Sequence, residues 1–229
     1  MGSLAPSRLT PLQRELLAAF CEREQRFFLT GGGALAGFYF GHRTTEDLDF
    51  FSAPGTNLAE AGRAAEEAAR AVGAQIETRS VHPDFRRLVA RRGDEECIID
   101  LVIDRAPMVD PEKATFGNVR VDTLREIAAN KICTLLSRSE IKDLVDLEAL
   151  VASGIDLGQA FTDAERKEAG AEPATLAWLL DELRIAPDAP LPGGVDVASL
   201  EEFRKSFVKR LRALAFARAQ GNATRMSSR

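Results

Sequence analysis

Asp47-Leu48-Asp49 places two carboxylates two positions apart. On an extended strand alternate side chains share a face, so Asp47 and Asp49 project together while Leu48 and Phe50 pack elsewhere. Two like charges held together raise the pKa of one of them unless a divalent cation neutralises the pair, and hard carboxylate oxygens suit Mg²⁺. As an isolated tripeptide the same residues read first as two exposed acids on an edge strand; their context points to chemistry. Upstream, the apolar run Phe27-Phe28-Leu29-Thr30 leads into Gly31-Gly32-Gly33 and then Ala34-Leu35. A strand, a glycine turn and a helix in that order bring backbone N–H groups to a helix start, where phosphates can be cradled. Those glycines alone would also serve a tight structural turn.

A third carboxylate, Asp100, interrupts the otherwise apolar Cys97-Ile98-Ile99-Asp100-Leu101-Val102-Ile103. A buried carboxylate without a partner is costly. It either faces a cation or cleft, or pairs with an arginine such as Arg87 or Arg91 on the neighbouring strand. Beside the strand of Asp47 and Asp49 it would complete a cluster able to hold two metal ions about 3.5 to 4 Å apart, as phosphoryl-transfer sites do. Lys131 and Arg138 are nearly two turns apart on one helix face, and both could reach phosphate oxygens. Ile127, Ile132 and Leu135 suggest that the Lys131 stem is partly buried, a setting in which a lysine takes a partner. Asp143 and Asp146, one turn apart on the next helix, offer the alternative of internal salt bridges. Arg43, in the turn before the carboxylate strand, could meet a phosphate or Glu46.

The elements that must position these groups follow from periodicity. Residues 11–26 carry Leu12, Leu16, Leu17 and Phe20 at helical spacing, with Pro11 suited to an early helical position after Thr10. Helices are also expected over 34–40, 58–72, 123–137 and 199–220, and strands over 27–30, 47–51, 75–81, 85–91 and 97–103. After residue 152, glycines and prolines punctuate short helical patches. The helix over 199–220 has Leu200, Phe203, Phe207, Leu211 and Leu214 as its packing stripe and Arg204, Lys205, Lys209, Arg210, Arg212 and Arg218 elsewhere. These cations read as a solvated face or as a guide for RNA phosphates. Residues 224–229 are expected to be mobile.

With 229 residues, 45% hydrophobic and 28% charged, the chain can bury one or two cores and is not a disordered sequence. A net charge of −5 argues against a generally basic nucleic-acid coat. Cys21, Cys97 and Cys133 are scattered and lack CxxC spacing, so neither a disulfide framework nor a zinc site is expected. No apolar run approaches the roughly 20 residues that span a bilayer, and the N-terminus lacks the layout of a signal peptide, so a cytoplasmic location without membrane partners is expected.

Gly31-Gly32, the Gly41-His42-Arg43 turn and Asp47-Leu48-Asp49-Phe50-Phe51 together resemble the polymerase-β-type nucleotidyltransferase superfamily, and within it the AbiEii/AbiGii toxin family. That family's pattern of a glycine pair, an Ala-Leu helix, GHR and DLDFF is matched almost continuously from Phe28 to Phe51. The likeness continues more loosely through the Asp100 strand and through Lys131, Arg138 and Lys142-Asp143-Leu144-Val145-Asp146-Leu147, roughly residues 12 to 152 in all, and fades beyond.

The resemblance implies an α+β fold: a polymerase-β-like nucleotidyltransferase core over 1–152, with a mixed β-sheet flanked by helices. A smaller, mainly helical region would follow over 153–229, packed separately or as one unit with the core. It implies an enzyme that binds NTP with Mg²⁺, or Mn²⁺ in its place, and transfers a nucleotide to an acceptor, RNA and specifically a tRNA 3′ end being favoured. It further implies the toxin of a toxin-antitoxin or phage-exclusion system, with a cognate antitoxin protein as partner. Gly31, Gly32, Gly33, Arg43, Lys131 and Arg138 would contact the nucleotide, Asp47, Asp49 and Asp100 would hold metal, and Lys131 would join these carboxylates in catalysis. Asp143 and Asp146 would orient Lys131 and Arg138. In one departure, Gly33 stands where the family often has a hydroxyl residue, so a phosphate contact is lost or passes to Thr30. The alternatives are transfer to a small molecule such as an aminoglycoside or to a protein, and a nucleotide-binding protein without turnover.

Overall fold

In the computed structural model residues 7–138, 140–189 and 191–227 are described. The chain forms two compact units, the first comprising Met1–Ala106 and Asp110–Thr123, the second Pro107–Val109 and Leu124–Arg229. The division falls at Thr123/Leu124, earlier in the chain than the expected boundary at 152.

The first unit is a seven-stranded sheet with helices. Its elements are α1 (Pro11–Arg23), β1 (Phe28–Thr30), α2 (Gly31–Ala34, continued as a π-helical turn over Leu35–Tyr39), β2 (Asp47–Ser52), α3 (Leu58–Ala71), β3 (Gln75–His82), β4 (Phe85–Arg92), β5 (Glu95–Ile103), β6 (Ala114–Phe116) and β7 (Val119–Val121). The strand order is β3-β4-β5-β2-β1-β7-β6. β2 runs parallel to β5, and β1 parallel to β7, while the other neighbours are antiparallel.

Local chemistry explains most of these bounds. Thr10 caps α1 in a capping box, its hydroxyl accepting from the Gln13 N–H while the Gln13 amide oxygen accepts from the Thr10 N–H, and Pro11 occupies the first turn, where no N–H is needed. Asn57 caps α3, whose Ala61, Ala65, Ala68 and Ala69 bury one small-residue face. α1 and α3 pack on each other and on the sheet. In β2, Leu48 and Phe50 are buried at 0% and 1% exposure, and the charged positions between them are half-buried, the alternation expected of a strand covered on one face. β6 and β7 were not expected. At three residues each they show no readable period, and they exist because β7 finds an open edge on β1.

The second unit contains α4 (Leu124–Arg138), α5 (Ile141–Ala152), α6 (Leu157–Lys167), α7 (Pro173–Glu182) and α8 (Val197–Ser227), with a short 3₁₀ turn over Pro192–Gly194. α4 packs against α5, α6 and α7, and α8 against α5 and α7. Leu200, Phe207 and Leu211 of α8 are fully buried, as the expected stripe requires. Arg204, expected among the outward cations, is instead buried; it donates to the Leu180 carbonyl at 2.5 Å and pairs with Glu201. α8 continues to Ser227, while residues 228 and 229 of the tail expected to be mobile lie outside the described residues. Among the described residues no helix is long and apolar enough to cross a membrane.

Candidate active site

The parallel pairing of β2 with β5 sets Asp49 directly opposite Asp100, and Asp47 opposite Ile98. Side chains opposite each other in a sheet share a face, so all three carboxylates lie on one side while Leu48, Ile99, Phe50 and Leu101 fill the core on the other. Asp47 Oδ1 accepts a 2.7 Å hydrogen bond from Thr45 Oγ1. Thr30 lies opposite Asp49 on the other flank, and its hydroxyl is buried with no hydrogen-bond partner.

Asp100 is 5% exposed and has its charge met by Arg87, the residue paired with it across β4 and β5. The guanidinium grips both oxygens, Nε to Oδ1 at 2.8 Å and Nη2 to Oδ2 at 2.6 Å. Of the two arginines named in the sequence reading, Arg91 instead binds Glu77 and Glu96. The hydrogen bond to Asp100 raises the Arg87 pKa, and the negative charges of Asp100, Asp47 and Asp49 add to the effect. Arg87 therefore feels all three acids. Among the described residues no three His, Cys, Asp or Glu side chains converge into a ready-made metal centre. Carboxylate oxygens are the hard donors that divalent cations take, and Asp100 already holds a cation in the form of Arg87.

The glycine turn lies against the same face. Gly31 has φ +62, a conformation strained for other residues, and a Cβ there would stand 2.6 Å from Asp49 Oδ2. A Cβ on Gly32 would come within 2.2 Å of Arg43 Nη2. Arg43 is 4% exposed, and its Nη1 donates to the Thr44 carbonyl at 2.8 Å. A Cβ on Gly33 would stand 3.3 Å from the Asp47 carbonyl oxygen. The structure thus gathers Gly31, Gly32, Gly33, Arg43, Asp47, Asp49 and Asp100 in one unit. The helix expected from Ala34 begins three residues earlier, at Gly31, so the glycines form its first turn rather than a loop before it.

Lys131, Arg138, Asp143 and Asp146 form a separate cluster within the second unit. Lys131 Nζ lies 2.8 Å from Asp143 Oδ1 and 2.6 Å from Asp146 Oδ2, with both aspartates fully buried. Arg138 grips Asp143 with Nε at 3.0 Å and Nη2 at 3.2 Å. Burial alone would lower the Lys131 pKa, but the charges of Asp146 and Asp143 and their hydrogen bonds outweigh it and leave the ammonium raised.

Two buried ion pairs carried no sequence signal. Lys113 Nζ lies 2.7 Å from Asp122 Oδ1 with both side chains almost wholly buried, and sits 4.3 Å from the centre of the Phe28 ring. The Tyr39 hydroxyl donates to the Asp122 carbonyl at 2.7 Å; burial, then the charges of Asp122 and Asp110, push that hydroxyl up to about 12. In the second unit Lys167 pairs with Glu126 at 2.5 Å, and Glu126 also accepts from the Val109 N–H. Both lysines lie outside any apolar period, so only the folded chain identifies them as buried.

Residues 15–226 match the model of a family described as the nucleotidyl transferase AbiEii toxin of a Type IV TA system. The match passes well beyond residue 152, where the resemblance read from sequence had faded. Two solved structures share the fold. JHP933 from Helicobacter pylori is 19% identical with a TM-score of 0.60, covering 95% of each chain. A putative nucleotidyltransferase from H. pylori is 18% identical with a TM-score of 0.62, covering 90% of this chain and 92% of that one. No curated protein matches the chain significantly.

Proposed function

The chain belongs to the AbiEii nucleotidyl transferase toxin family, and from that premise we propose that it transfers a nucleotide from an NTP to RNA, at a tRNA 3′ end, as a cytoplasmic toxin restrained by a cognate antitoxin. The observation that carries this reading is the register of Asp49 against Asp100 beside the Gly31 turn. A divalent cation, Mg²⁺ or Mn²⁺, held by Asp47, Asp49 and Asp100 would screen the triphosphate and lower the pKa of the acceptor hydroxyl.

The chain's own groups supply the rest. Thr45 holds the Asp47 carboxylate in place. Gly31 to Gly33 offer N–H groups at a helix start, and the absence of side chains there lets a phosphate approach. Arg43, lying on Gly32, adds a fixed positive charge beside that turn. As the acceptor oxygen bonds to the α-phosphorus, the bond to pyrophosphate breaks and the acceptor proton passes to solvent water; positioning and charge, not covalent help, are what the protein contributes. Within the second unit, Asp143 and Asp146 fix Lys131, and Asp143 also fixes Arg138.

The test is transfer from each of four α-³²P-labelled NTPs into a cell extract with Mg²⁺ or Mn²⁺, resolving RNA, protein and small molecules. Label in RNA with wild type, reduced at least about a hundredfold by Asp49→Ala, is the expected result. Label in protein or in a drug would redirect the acceptor. Nucleotide binding without any label would favour the non-catalytic reading.

A further inference from the structure

We propose that Arg87 is a resident counter-cation of the carboxylate face, which holds Asp100, yields it to an incoming divalent cation, and turns to the nucleotide's phosphates. The inference rests on the reading of Asp47, Asp49 and Asp100 as metal ligands. It follows from an asymmetry in one ion pair. The Asp100 side chain is 7% exposed, and that of Arg87 is 44% exposed. A buried carboxylate cannot be left alone, whereas a half-exposed guanidinium can swing away and be rehydrated. Release is therefore inexpensive on the arginine side once another cation meets Asp100.

The other cations of β4 do not compete for this role. Arg86 binds Glu66 and Thr78, Arg91 binds Glu77 and Glu96, and Arg92 binds Glu15 and Glu95. Arg87 alone on that strand has a candidate metal ligand as partner. Its guanidinium also lies 5.6 Å from the centre of the Phe85 ring, an aromatic face that can support a cation leaving Asp100. A divalent cation on Asp100 meets that carboxylate's charge in place of the guanidinium. Arg87 is then surplus beside Asp100, and an anionic triphosphate is the partner that can take it.

Two consequences follow. Metal alone must displace Arg87 and so binds weakly, and phosphate gives the displaced arginine a new partner, so metal and nucleotide strengthen each other's binding by the same factor. The experiment titrates Mn²⁺ alone, read by the EPR signal of free Mn²⁺, into wild type, R87Q, R87K and D49N. In parallel, the preformed Mn²⁺–tripolyphosphate complex is titrated by calorimetry. R87Q should bind Mn²⁺ about tenfold more tightly than wild type and the tripolyphosphate complex about tenfold more weakly. R87K keeps the charge but loses the fork, and should shift Mn²⁺ affinity about threefold in the same direction; it carries the test if R87Q does not fold. Opposite signs in the two titrations distinguish this role from a merely structural one. Unchanged or weakened Mn²⁺ binding in R87Q, with binding lost in D49N, would overturn the Arg87 role and leave the metal site standing. Undiminished Mn²⁺ binding in D49N would overturn the metal site and the Arg87 role with it.

Discussion

Gly31 and Lys131 show at the scale of single residues how tightly the candidate groups are held. Gly31→Ala adds a methyl group at φ +62 and 2.6 Å from Asp49 Oδ2, so backbone strain and a steric clash act together. The expected loss of stability is about 1 to 2 kcal/mol, with transfer activity falling further because Asp49 is displaced; denaturant unfolding beside a transfer assay checks both. Equal stability in this variant would mean that the turn relaxes freely. Lys131→Met leaves Asp143 and Asp146 buried with a smaller share of positive charge and should cost about 3 to 5 kcal/mol. The pH dependence has a definite sign. Since the folded-state pKa of Lys131 lies above its ordinary 10.5, this contribution is whole below pH 10.5 and is lost as pH rises through the raised value. Wild type should therefore lose stability in that alkaline range, and Lys131→Met should lose less; parallel pH dependences would sink the assignment.

At the scale of elements, α8 combines two kinds of cation that sequence alone ran together. Arg204 is a packing residue: it satisfies the Leu180 carbonyl at the end of α7 and holds Glu201. Arg204→Ala should destabilise the protein by about 1.5 to 3 kcal/mol, the range for a hydrogen bond from a charged donor. Lys209 and Arg210 are exposed, and reversing both charges should leave stability within about 0.5 kcal/mol. The same double reversal should weaken RNA labelling at low salt and weaken it less at high salt. A labelling rate indifferent to both charge and salt would remove α8 from any RNA path. The strands teach a related lesson. β2 was legible because Leu48 and Phe50 alternate with aspartates, whereas β6 and β7 have three residues each and depend on an edge supplied by β1.

For the whole molecule, membership of a toxin family turns the site chemistry into a cellular expectation. Induced expression of the wild type should slow growth, and Asp49→Ala at equal protein level should not; growth arrest by the variant would detach toxicity from the carboxylate face. The family match from 15 to 226 also spans both compact units, so the helices after residue 152 belong to the family's common pattern and are not an appended tail.

Much of the local arrangement of the candidate site was legible without the fold. Strand alternation put Asp47 and Asp49 on one face, the glycine run marked a turn at a helix start, and the DLDFF and lysine-arginine patterns together resembled one family. These are properties of neighbouring residues, dictated by backbone stereochemistry and by side-chain period. The tertiary structure decided which of several possible partners each charge took. It set Asp49 against Asp100, closed the Arg87 fork, joined Lys131 to both Asp143 and Asp146, and buried Lys113 with Asp122. Partner choice for a buried charge depends on strand register and on the loss of water around groups far apart in the chain, and no local period records either.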